Sequence, residues 1–184
     1  MERGVRMAGI VFGVIMIALS LVVTVETIVR KVFSISLGGV DELSGYAIAI
    51  GAPLAFAVAA VEQSHIRINL LYMRLPRLAQ AMLNVVAALT LGILGVFFLI
   101  FTVDTVRDTM AYKAIAQTPW ATPLIYPQAL WLVTQAFFAV IAVVVAGRAI
   151  GHMAGGRWDA LVQRFGPERV EDEVEAELKD LERR

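Results

Sequence analysis

The sequence predicts an all-α integral membrane protein with four transmembrane helices, and composition and charge placement carry that prediction. Of its 184 residues 59% are hydrophobic and only 17% charged, too apolar for a soluble domain of this size. Charge is also excluded from four stretches, residues 7–25, 43–61, 78–103 and 114–147. About 20 apolar residues cross the hydrocarbon core once, so each stretch can hold one span. The absence of cysteine rules out disulfides, thiolate metal sites and covalent haem attachment.

Helix one is expected over about residues 7–29. Arg3 and Arg6 precede it as they would a secretory signal, but the run is too long for an h-region. "VVTVETIVR" also offers no small-x-small cleavage site, so the segment reads as a retained helix. Gly9 and Gly13, four apart, would let another helix approach closely, although such pairs also arise by chance in apolar helices. Helix two is expected over 42–62, with Gly45, Ala49, Ala52, Ala55 and Ala59 near one face. Pro53 sits mid-span and frees a backbone carbonyl; a packing kink is the plain reading, a substrate-site break the sharper one.

Helix three spans about 78–104 and should continue past the bilayer, because "TVDTVRDTMAYK" keeps a helical pattern. The last charge-free run contains Pro119, Pro123 and Pro127, which confines its span to about 127–148, with Pro127 near the helix start. Trp120, Tyr126 and Trp131 around those prolines suit an aromatic belt at the membrane surface. Residues 1–152 therefore form the transmembrane domain and 153–184 a tail. In the tail, Trp158, Leu161, Val162 and Phe165 could lie on the membrane. From Glu168 onward eight acids face four bases, and Val170, Val174, Leu178 and Leu181 make one stripe of a short amphipathic helix, either docked or solvated.

Basic residues set the expected orientation. One side collects Arg3, Arg6, Arg67, Arg74, Arg77, Arg148, Arg157 and Arg164; the other has Arg30, Lys31, Arg107 and Lys113. Eight against four places both termini in the cytoplasm.

The chemistry-bearing residues point away from catalysis. "EQSH" is one Glu-x-x-His unit of the kind di-iron bundles use twice, but the second is missing, since Ala149 stands three before His152. Neither histidine is placed mid-span for haem, and no nucleophile, base and oxyanion stabiliser converge. No phosphate loop is present, and a neutral membrane chain is a poor nucleic-acid binder. Glu26 is the one near-membrane carboxylate that could couple protons, as in small four-helix multidrug exporters. Its position at the end of helix one, with Arg30 one turn on, favours a boundary ion pair. What remains is a rim: Glu62, His65 and Arg67 where helix two leaves the hydrocarbon, and Arg74 and Arg77 before helix three.

These residues resemble the small membrane subunit of tripartite ATP-independent periplasmic (TRAP) transporters. The resemblance rests on "DELSGYA" opening helix two, on "EQSHIRINLL" followed by "LP", and on the proline- and tryptophan-bearing loop before helix four. Asp41, Glu42 and Leu43 match the family's acidic pair and leucine; Glu62, His65, Ile66, Arg67 and Ile68 match its closing motif. Asn69 stands where an acid commonly follows, and Gly39–Val40 where an aromatic often precedes the acidic pair. The resemblance implies a bacterial inner-membrane scaffold subunit without cofactor, partnered by a large membrane subunit and a periplasmic binding protein. The large subunit would bind sodium and move an organic acid, such as a carboxylate or sugar acid. It also implies that Asp41, Glu42, Glu62, His65, Arg67 and Arg74 sit at the rims, against lipid headgroups or the large subunit.

Overall fold

A computed structural model describes residues 2–63 and 72–166. Four long helices run through it: α1 (Glu2–Phe33), α2 (Val40–Glu62), α3 (Arg77–Tyr112) and α4 (Ile125–Ala154), followed by a short α5 (Trp158–Phe165). All four long helices are long and apolar enough to cross a membrane. They overrun the charge-free stretches, because helical hydrogen bonding continues into flanks that polar side chains hold in the headgroup region. The 36 residues of α3 extend about 54 Å, well beyond a hydrocarbon core about 30 Å thick. The expected continuation of helix three is thus present, and Pro127 falls within the first turn of α4.

The helices pack as an open row, α1 against α2, α2 against α4, and α4 against α3. Phe56 of α2 meets Phe138 of α4, with ring centroids 5.8 Å apart. Buried Phe138, Ala142, Val145 and Ala149 place α4 in the middle of the core. Lipid offers apolar side chains as good an environment as a neighbouring helix does, so association depends on close contact. Gly92 and Gly95 supply it: a Cβ on Gly92 would lie 3.2 Å from Ala146 Cβ, and one on Gly95 3.3 Å from the Ala139 Cα. Between α1 and α2 it is Gly51 that admits a neighbour, with Phe12 and Met16 packed over it.

α5 differs from the expectation that its apolar side chains lie on the membrane. Leu161 is fully buried and Phe165 nearly so, both within the core cluster, and α5 packs on α3 and α4. Only Trp158 of that set is exposed. The amphipathic stripe expected beyond Glu168 lies outside the described residues.

The molecule therefore has two polar ends. The near end holds the N-terminus, the α2–α3 connection and α5; the far end holds the α1–α2 and α3–α4 loops.

Candidate functional site

At the far end, α2 starts on two glycines in left-handed conformation, Gly38 (φ 63°) and Gly39 (φ 80°). Gly39 is required twice over. Its backbone is one that side chains resist, and a Cβ there would lie 2.5 Å from the Trp120 ring. Pro119 lies over Gly38 at ordinary van der Waals distance, 3.5 Å from where a Cβ would sit. The α3–α4 loop is thus seated on the first turn of α2, and the Gly39 found in place of an aromatic makes room for the indole of Trp120. The loop closes on itself through a bridge between Ile115 and Pro123 and a bond from Ala116 N–H to the Thr122 carbonyl, 2.9 Å.

Polar side chains complete the seat. Glu42 is buried and accepts hydrogen bonds from the Tyr46 hydroxyl (2.5 Å) and from the Thr118 hydroxyl of the α3–α4 loop. A carboxylate in the first turn of a helix also meets the positive end of the helix dipole. Asp41, its neighbour in the sequence motif, faces outward and is exposed. The acidic pair thus divides, with Glu42 locking the loop and Asp41 left on the surface.

Glu26 serves the other far-end loop. It is 7% exposed, and its carboxylate accepts from Ser36 Oγ (2.7 Å), from Leu37 N–H (2.9 Å) and from Arg30 (3.1 Å). The expected i,i+4 pair with Arg30 is present, and the carboxylate is occupied in holding the α1–α2 loop. On α3, Asp104 pairs with Arg107 at 3.5 Å, both exposed.

At the near end, Glu62 and Arg74 are exposed, while His65 and Arg67 lie outside the described residues. The end of the α2–α3 connection is tied to α3. Gln80 donates to the carbonyls of Tyr72 and Leu75, each at 3.0 Å, and buried Asn84 donates to the Tyr72 hydroxyl at 2.7 Å. His152, on the last turn of α4, faces Phe165 edge-on at 6.3 Å.

The glycines and small residues of the sequence patterns separate by neighbour. Gly9 faces Val58 of α2, whereas Gly13 and Gly45 have open space beside them. Ala49 is half-buried, and Pro53 is buried within an uninterrupted α2, where it deprives the Ala49 carbonyl of its helical donor. Sequence reasoning missed Tyr46, Thr118, Ser36, Gly51, Gly92 and Gly95. Tyr46, one helical turn after Glu42, and the Gly92-x-x-Gly95 spacing were readable signals; Thr118 and Ser36 are joined to their partners only by folding.

A TRAP-family pattern is therefore found on a chain whose charged side chains gather at two loop-bearing ends. The family model for tripartite ATP-independent periplasmic transporters, DctQ component, matches residues 19–152. The chain belongs to the DctQ family. It is the small membrane component of a TRAP transporter, a multi-pass transport protein and not an enzyme. The matched residues take in α2, α3, most of α4 and the second half of α1, and so include both far-end loop locks of this DctQ chain. No curated protein matches the chain.

Proposed function

We propose that this DctQ component is the fixed brace of a sodium-coupled TRAP transporter in the bacterial inner membrane, with both termini cytoplasmic. A periplasmic binding protein would deliver an organic acid, a carboxylate or sugar acid, to a large membrane subunit that binds sodium and moves. The observation that supports this reading is the emptiness of the spans: every described charged side chain belongs to the terminal part of a long helix, a loop or α5. Charge inside a span is expensive and serves transport or coupling where it occurs, so its placement at the ends fits a stationary role. Glu26, on which proton-coupled export would depend, is committed to a loop.

In this reading Asp41, Glu62, His65, Arg67 and Arg74 meet lipid headgroups or the large subunit, and Glu42 shapes the far-end surface through Thr118. Gly13 and Gly45, open within the subunit, suit close approach by a helix of the partner. The test is purification of the tagged chain from native membranes. Glu62→Gln with Arg67→Gln should lower recovery of a larger multi-span subunit several-fold without changing the binding protein's affinity for its substrate. Undiminished copurification counts against the rim residues, and solute or ion transport by this chain reconstituted alone overturns the brace.

A further inference from the structure

We infer that α3 and α4 hold an ordered water molecule between Gln135 and Thr102, in the interior of the bilayer. The register of the two helices brings these residues together. A Cβ on Gly95 of α3 would lie 3.3 Å from the Cβ of Ala142 on α4, which sets the two opposite one another. Gly92 meets Ala146 and Ala142, so rising numbers on α3 face falling numbers on α4 and the pair is antiparallel. A step of seven residues makes about two helical turns and returns to the same face. Taken from Gly95 and Ala142, that step pairs Thr102 with Gln135, and a second step pairs Thr109 with Gln128. Burial agrees with this register, because Thr102, Thr109 and Gln135 are all buried. The near half of the seam is thus built of glycine and alanine, and the far half of hydroxyls and amides.

The polar half carries an unmet hydrogen bond. Gln135 is 4% exposed, and its Nε2 is buried with no partner among the described residues. It stands eight residues after Pro127, about 12 Å past the expected start of a span about 30 Å thick. An amide N–H without an acceptor at that depth is strongly disfavoured. Exchanging the amide oxygen and nitrogen would bury an acceptor in the same place, so the need does not depend on that assignment. Cover by its own chain keeps lipid headgroups and partner helices from supplying the missing group.

Thr102 offers it. Its hydroxyl donates to the Phe98 carbonyl at 2.8 Å, which leaves a lone pair to accept with. One water can accept from Gln135 Nε2 and donate to Thr102 Oγ1, the two polar partners that a buried water needs. Helix separation follows the side chains at the contact, so threonine and glutamine leave more room than glycine and alanine do. Gln128 Oε1 is a second buried amide atom without a partner among the described residues, one step closer to the far-end loops. It gives water a polar route inward. The bridge ties the far half of α3 to α4, where the glycine contacts have ended.

Water-edited NMR tests this on the full chain, with isotope-labelled glutamine and nanodiscs of deuterated lipid. Gln135→Met assigns the Gln135 side-chain amide by removing its signal. The native chain should show a dipolar cross peak between water and that amide. The peak should persist in Thr102→Ser, which keeps the hydroxyl, and weaken at least several-fold in Thr102→Val. Absence of the peak in the native chain, the mark of a dry seam or of a direct bond, overturns the proposal. So does a peak of equal strength in Thr102→Val, which would put the water elsewhere. Should Thr102→Val not fold, the native spectrum decides alone.

Discussion

Replacing Gly39 with alanine tests how the far end is built. Two costs add. The left-handed backbone at φ 80° penalises any Cβ by about 1–2 kcal/mol. The new methyl would also sit 2.5 Å from Cδ2 and 2.6 Å from Cε2 of Trp120, where carbon contacts prefer about 3.5–4 Å. A planar ring cannot bend away, so the indole must shift by about 1 Å or more, an overpacking cost of about 1–3 kcal/mol. Together Gly39→Ala should destabilise the chain by about 2–5 kcal/mol, or about 4–20 °C in Tm for a chain of this length. Thermal unfolding in detergent micelles, followed by tryptophan emission, reads both the midpoint and the displaced indole. In a Trp120→Ala background the same substitution should cost only the backbone part, about 1–2 kcal/mol. A Gly39→Ala midpoint within about 2 °C of the parent, or an equal cost with and without Trp120, would refute the reasoning.

Other perturbations probe the remaining contacts. Gly95→Leu drives a side chain against the Ala139 backbone and should loosen α3 from α4 by about 1–3 kcal/mol, seen as a lower midpoint in the same assay. Glu42→Gln and Thr118→Val should each cost about 1–3 kcal/mol, and their double-mutant cycle should show coupling above about 0.5 kcal/mol. Additive effects would mean that the carboxylate does not hold the loop. Glu26→Ala should expose the α1–α2 loop, so that limited proteolysis between residues 34 and 39 accelerates and the midpoint falls. Unchanged cleavage would remove Glu26 from the loop lock.

How far the sequence reaches is seen by comparing α1 with the far-end seat. Spans, their number and the boundary role of Glu26 were legible because burying charge in hydrocarbon is prohibitive, a rule that acts residue by residue along the chain. Asp41 and Glu42 were legible as a motif but not as a divided pair; which of two adjacent carboxylates turns inward depends on the loop that meets them, 76 residues away in the case of Thr118. Of the small residues, those picked on α1 and α2 were chosen by spacing alone. Spacing places residues on one face but does not say which face a neighbour occupies, so Gly13 looks onto open space while Gly92 and Gly95 receive α4.

The amino-acid order by itself determined a four-span, all-helical membrane protein of the TRAP small-subunit kind, since transfer into lipid is a local cost summed over each segment. Only the tertiary structure decided the open row of helices, the inward turn of Glu42 and the burial of Leu161 and Phe165. Those depend on contacts between segments distant in the chain, where close approach between helices, and not hydropathy, selects the partner.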